Sequence, residues 1–260
     1  MIIRQAISPG LKILLAFASL LAFLAFWQLL VGMRWVAPLF LPTPLEVLYA
    51  ARRLYGHENF LSDLAISIFR VGIGFLSAAA IGIPLGVLMG SWAAVRGFFE
   101  PGLAFVRYMP ATAFVPLLVL WLGIDEQQKF AVVFIGAFFH LTLMVMHSVQ
   151  NVPMAFIESA RLLGAGRYKT LIRVIWPAAR PAIWDNLRIV LGWAWTYIIV
   201  AELVAANSGI GFIILRASRY MDVATIFVGI ISIGMVGVLS DLLFSTLSRL
   251  LFPYHNNQRK

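Results

Sequence analysis

The chain has 260 residues, 62% of them hydrophobic and only 12% charged, with a formal net charge of +9. A soluble domain of this size carries roughly 25% charged residues. A water-facing surface over most of the molecule is therefore excluded, and an integral membrane protein of one domain with five to seven spans is implied. Cysteine is absent, which excludes disulfides, thiol catalysis and thiolate-bound metal. His57, His140, His147 and His255 are scattered, and no carboxylate accompanies His140 and His147 on their shared helical face. No metal site and no catalytic cluster is expected. The positive charge suits cytoplasmic loops under the positive-inside rule better than nucleic acid.

In chain order, Leu11–Val31 is a near-continuous apolar run and reads as the first span; no small-x-small cleavage site follows it, against a cleaved signal peptide. Pro38–Pro44 is a stiff turn, and Thr43 caps a short amphipathic helix from Pro44 to Tyr55. Ser67–Met89 is the second span, in which Gly82 and Gly86 allow close helix approach. Trp92–Pro101 reads as a loop. Leu103–Leu122 is the third span, interrupted by Pro110 and Pro116, whose freed carbonyls need a neighbour or a water-filled cavity. Gly123–Lys129 is a polar turn and Phe130–Val149 the fourth span. A basic insert runs from about Asn151 to Pro181. Asp185–Ala206 is the fifth span, Phe212–Tyr220 a short interfacial helix, Val223–Leu247 the sixth span, and Phe252–Lys260 a polar tail. With the N-terminus inside, 13 of the 20 Lys and Arg residues fall on the inner side, which favours both termini being cytoplasmic.

The insert carries Arg161, Arg167, Lys169, Arg173 and Arg180. Its spacing reads as a helix–turn–helix along the membrane surface. Phe156, Ala160 and Leu163 recur at helical spacing in the first helix, Glu158 sits near its start, and Gly164 and Gly166 end it as a left-handed cap does. Tyr168–Ile175 forms the second helix, stopped by Trp176-Pro177. Anionic headgroups could hold such a hairpin at about 1 kcal/mol per basic residue. A short helix of small residues bordered by glycine suits a protein groove better.

Polar groups at membrane depth mark pathways by default. Arg107, Arg188, Glu202 and Asp241 are such groups, though Arg107 and Arg188 can reach inner headgroups and Glu202 can pair with Arg216 or Arg219. Met109, Pro110 and Thr112 stand where a proline-broken helix would line a cavity. A secondary transporter or channel would show inverted repeats or paired acidic residues in adjacent spans, and a membrane enzyme would show clustered catalytic groups. Neither pattern is visible in the sequence.

Glu158, Ala160, Gly164 and Pro177 match the cytoplasmic loop of ATP-binding-cassette importer permeases: Glu-Ala-Ala, three residues, Gly, nine residues, Ile-x-Leu-Pro. Ser159, Val174 and Trp176 depart from it. The run from Pro110 through Pro116 to Glu126, the run Ala201–Gly211, and Leu251-Phe-Pro-Tyr254 resemble the nitrate/sulfonate/taurine branch. The resemblance covers residues 40–254.

It implies an all-α membrane fold of about six transmembrane helices, of the type I importer permease kind, with a cytoplasmic coupling helix. Residues 1–36 would be an N-terminal cytoplasmic segment and first span, 37–254 the permease core with its coupling loop at 151–181, and 255–260 a cytoplasmic tail. Glu158, Ser159, Ala160, Arg161, Leu162, Leu163 and Gly164 would form the coupling helix, with Glu158 capping it or pairing across the interface and Ala160 and Gly164 against the ATPase groove. Arg107, Met109, Pro110, Thr112 and Glu202 would be the pathway residues. Implied partners are a second copy of the chain, two ATP-binding subunits, a solute-binding protein outside a bacterial inner membrane, and the bilayer. The solute would be a small anion such as nitrate, bicarbonate, taurine or a sulfonate. ATP and Mg would be bound by the partner ATPase and no cofactor by this chain, which has no Gly-x-x-x-x-Gly-Lys-Ser/Thr loop.

Overall fold

A computed structural model describes residues 8–37, 39–57 and 59–253. The expected tail at 255–260, Arg4 near the N-terminus and Pro38 of the stiff turn lie outside the described residues. Every regular element among the described residues is helical: α1 (Pro9–Gly32), α2 (Pro44–His57), α3 (Phe60–Ser91), α4 (Ala93–Arg107), a 3-10 turn (Ala111–Phe114), α5 (Val115–Leu122), α6 (Glu126–Gln150), α7 (Met154–Leu162), α8 (Arg167–Thr170), a π-helical turn (Leu171–Ile175), α9 (Trp176–Ala205), α10 (Ile210–Arg219) and α11 (Val223–Leu251). In hydrocarbon each backbone amide must be bonded within its own segment, which is why apolar runs of this length become helices. Five stretches are long and apolar enough to cross a membrane, and a sixth if α4 and the helical run Ala111–Leu122, bent by 85° at their junction, count as one broken span.

Two expectations are corrected. Trp92–Pro101 is no loop: α4 starts at Ala93 and runs through Pro101. Continuing the helix keeps its other amides bonded where no water replaces them. Nor do Trp176-Pro177 stop the second hairpin helix, which continues as the fifth span from Arg167. Pro177 has no N–H, and its ring would clash with the carbonyl four residues back, Arg173. Arg173 lies inside the π-helical turn Leu171–Ile175, and the wider turn takes up that ring. Only α7 is a separate short helix.

One compact unit holds the described residues up to Phe60 together with Ile213–Ile230. Here Thr43 and Glu46 form a reciprocal capping box on α2: Glu46 N donates to Thr43 Oγ1 (3.2 Å) and Thr43 N to Glu46 Oε2 (2.7 Å). Val47, Ala50 and Leu54 are the buried stripe of α2. Trp27 of α1 donates to the Pro42 carbonyl (2.9 Å) and stacks on Phe227 at 5.1 Å. Arg53 donates to Asp222 Oδ2 (2.9 Å), which also accepts from the Thr225 hydroxyl (2.8 Å). Burial works to raise the Asp222 carboxyl, but the bonds from Thr225 and Arg53 hold it below the usual carboxylate range.

The second unit comprises Leu61–Phe212 and the described residues from Ile231. Its centre is the pair α6 and α9, where Val133, Ala137, Leu141 and Val145 meet Val190, Ala194, Ile198 and Ala201 with almost no exposure. The expected close approach at Gly82 and Gly86 is present and longer than expected. A Cβ on Gly74, Gly82, Gly86 or Gly90 of α3 would come within 2.6 to 2.8 Å of Val133, Thr142 or Val149 on α6. Glycine there lets two backbones touch without strain.

Candidate functional site

Three features of the second unit carry functional groups. The first is the hairpin at α7. Gly164 has φ +79; its N–H donates to the Arg161 carbonyl (2.9 Å) and the Ala165 N–H to the Ala160 carbonyl (2.9 Å). This is a Schellman cap, and only glycine enters that left-handed conformation without cost. The cap ends α7 abruptly and leaves its tip in the open. Leu162 and Leu163 are 89% and 88% exposed. Around them Arg161, Arg167, Lys169, Arg173 and Arg180 are also exposed. Ser159 donates back to the Ala155 carbonyl (2.8 Å).

Two expectations shift here. Ala160 turns inward and is buried, so the exposed side of the tip is Leu162 and Leu163. Glu158 is the fifth residue of α7, whose first turn has no acidic residue, so it is no cap. Pro153 is the N-cap and Met154 the first residue of the helix, so Glu158 falls beyond the first turn, where the free amides are.

The second feature is the broken span. Tyr108 N and Met109 N close a tight turn onto the Phe105 and Val106 carbonyls at 3.2 and 2.9 Å, and Pro110 is extended. The bend opens a cavity of about 220 Å³ lined by Arg107, Met109, Pro110 and Thr112 on one side and by Ile135, Phe139, His140 and Tyr197 on the other. Four of the five expected pathway residues thus share one cavity. Gly136 of α6 lies against the Tyr197 ring, and a Cβ there would collide with it. His140 meets Trp193 edge to face at 5.2 Å. Arg107 donates to the Tyr108 hydroxyl (3.1 Å) and lies 5.0 Å from its ring centroid.

Glu202, the fifth, is elsewhere. Its cation is Arg70 of α3 (2.8 Å), against which it is fully buried. Arg70 also donates from Nε and Nη2 to the two Glu126 oxygens (2.6 and 2.5 Å), and to Ser208 through its carbonyl (2.8 Å) and hydroxyl (2.9 Å). Glu202 accepts from Ser67 (2.8 Å) and from Gly211 N (2.8 Å), while Asp63 accepts from Gly209 N (2.6 Å). A Cβ on Gly209 or Gly211 would stand 2.5 Å from Glu202. The run Ala201–Gly211 therefore packs its loop onto a buried carboxylate. Two acidic residues thus converge: Glu126 and Glu202 share the one guanidinium of Arg70, and Lys129 stands 3.9 Å from Glu126 as the second cation. Arg70, Ser67 and Glu126 were missed in the sequence, although a lone cation within an apolar run was a usable signal. Arg188 and Asp241, on α9 and α11, pair with each other. Among the described residues no group of three His, Asp or Glu side chains could hold a metal.

A multi-pass helical bundle with a broken span, a membrane-depth cavity and an exposed basic hairpin defines a transport permease. The sequence profile of the family described as "Binding-protein-dependent transport system inner membrane component" matches residues 82–253, and the chain belongs to that family. It is 32% identical to the taurine transport system permease protein TauC of Escherichia coli over 249 residues, 94% of this chain and 90% of that protein. It is 33% identical to the putative aliphatic sulfonates transport permease protein SsuC of Bacillus subtilis, over 90% of this chain and 85% of that one. The fold is similar to a chain of the inward-facing MetNI methionine ABC transporter, with a TM-score of 0.63, 19% identity, and 71% and 92% of the two chains covered. The protein is thus a multi-pass permease of the ATP-binding-cassette importer class, as the loop pattern implied.

Proposed function

We propose that this chain forms the membrane pathway of an importer for a small anion of the taurine, sulfonate and nitrate class, as half of a homodimer. A solute-binding protein outside the membrane delivers the solute, and two separate ATP-binding subunits supply the drive. ATP and Mg sit on those subunits; this chain binds no cofactor and catalyses no reaction. Both termini face the cytoplasm, and so does α7.

The observation that carries the reading is the bare tip of α7. Two fully projecting leucines among cations are a surface that a protein groove or the bilayer interface would cover. The shortness of the glycine-capped helix and the loop pattern at Glu158, Gly164 and Pro177 favour the groove. Residues Glu158–Gly164 dock into the ATPase subunit, with Leu162 and Leu163 as the anchors, Ser159 and Arg161 at the rim, and Glu158 facing a cation of the partner. Closure of the ATPase dimer draws the two hairpins together. Each α7 joins the fifth span through one tight turn, so its movement passes to a rigid helix and on to the cavity at Arg107, Met109, Pro110 and Thr112.

The test is reconstitution in proteoliposomes with candidate ATP-binding and solute-binding proteins, measuring uptake of labelled taurine, ethanesulfonate and nitrate. Uptake should require ATP and survive a proton uncoupler. Uptake without ATP that collapses with the proton gradient would establish a secondary transporter instead.

A further inference from the structure

We infer that the cavity at the broken span is a binding site of the permease itself for one small organic anion, whose acidic head lies on Arg107 and whose carbon chain lies on Met109, Ile135 and Phe139. Its place in transport rests on the reading above; the binding stands on geometry.

Three cations of the long helices α3, α6 and α9 are compensated. Arg70 has Glu126 and Glu202, Lys129 has Glu126 and Arg188 has Asp241, each pair within 4.0 Å. Arg107, at the cavity, differs from these three: among the described residues no carboxylate lies within ion-pair reach, and its contacts are with the Tyr108 hydroxyl and ring. A cation at membrane depth without a counter-charge is costly. Gly136 and His140 occupy the middle of the 25-residue α6, so the cavity they line lies midway along a helix long enough to span. The missing negative charge is therefore assigned to a ligand.

The lining defines that ligand further. Arg107 is the only lining side chain that is always charged, and no acidic side chain lines the cavity. A guanidinium fork matches the oxygens of a sulfonate or carboxylate. Thr112, His140 and Tyr197 add polar groups on the walls, while Met109, Ile135 and Phe139 are apolar. About 220 Å³ is below the range of drug-sized pockets, which limits the solute to a few heavy atoms. The apolar wall gives a short alkyl chain a place that a bare inorganic ion would leave empty.

The test is calorimetric titration of the full chain in phosphatidylcholine nanodiscs with ethanesulfonate and with its neutral analogue ethyl methyl sulfone. Saturable binding of ethanesulfonate is expected, with the sulfone weaker by about tenfold or more. Arg107→Gln should weaken ethanesulfonate by about tenfold or more, Arg107→Lys by less, and Arg96→Gln not at all. Thr112→Val, which leaves every charge in place, provides a second reading should Arg107→Gln aggregate. No saturable binding by the wild type, or equal affinity in Arg107→Gln, overturns the site. Loss of binding when phosphatidylglycerol is added to the discs overturns it in favour of a lipid headgroup. A chain that binds ethanesulfonate yet captures no ATP-binding subunit leaves this site standing and overturns the coupling role of α7; the reverse result removes only the site.

Discussion

Replacing Leu162 and Leu163 together by alanine should separate folding from coupling. At 89% and 88% exposure these side chains contribute almost nothing to the chain's own core, and exposed substitutions of this kind usually change stability by less than about 0.5 kcal/mol. Docked in a groove, each leucine would gain about 1.5–3 kcal/mol on full burial. Alanine keeps only Cβ, so about 2 kcal/mol per site is lost, or about 4 kcal/mol for the pair. With tenfold per 1.4 kcal/mol, the ATP-binding subunit should bind at least a hundredfold more weakly, allowing for incomplete conversion of area into affinity. The assay is biolayer interferometry of the ATP-binding subunit on captured permease, paired with thermal unfolding of both variants in detergent. Normal unfolding with unchanged ATPase affinity would refute the reasoning, because it would place the tip of α7 outside the contact.

Three further outcomes follow from the packing. Arg70→Leu leaves the fully buried Glu202 without its cation and should cost about 3–5 kcal/mol, read as a lower thermal midpoint; Arg70→Lys should rescue little, since one ammonium cannot replace a fork that reaches Glu126, Glu202 and Ser208. Wild-type melting of Arg70→Leu would show the cluster to be dispensable. Gly86→Ala places a methyl 2.6 Å from the Thr142 carbonyl and should cost about 1–3 kcal/mol, whereas Gly72→Ala, with nothing within 4 Å, should be neutral or slightly stabilising; equal midpoints for the two variants would contradict the α3–α6 contact. The depressed Asp222 carboxyl adds stability that is complete above its unfolded value of about 3.9 and fades as pH falls through the lower folded value. The difference in midpoint between wild type and Asp222→Asn should therefore be steady from about pH 7 to 5 and close in stronger acid; a gap independent of pH down to about 2 would refute it.

The long helices were legible because lipid leaves the backbone no other solution, so apolar length alone specifies them. The left-handed cap at Gly164, the cap at Thr43, and the close approach at Gly82 and Gly86 were also legible, since each depends on residues near in sequence or on one face of one helix; Glu46 completing the capping box and the further contacts at Gly74 and Gly90 came from the structure. The limits of this reading appear at Pro101 and Pro177. Proline is a strong stop signal in water, but in hydrocarbon a helix that widens or runs on keeps its amides bonded, and the punctuation fails.

What tertiary structure alone decided is where each charge finds its partner. Glu202 and Arg70 are 132 positions apart, and nothing local distinguishes Arg70 from Arg216 as the answering cation. Ala160 turns inward and Leu162 outward because of how α7 joins the fifth span, which no periodicity records. Arg107 stands without a carboxylate for the same reason: counter-charges are placed by the packing of α4, α6 and α9 in three dimensions. Composition and spacing settle which segments enter the membrane and how each folds along its own length, because those are obligations of a single backbone. Compensation of charge between segments is a property of their assembly, and only the folded bundle shows it.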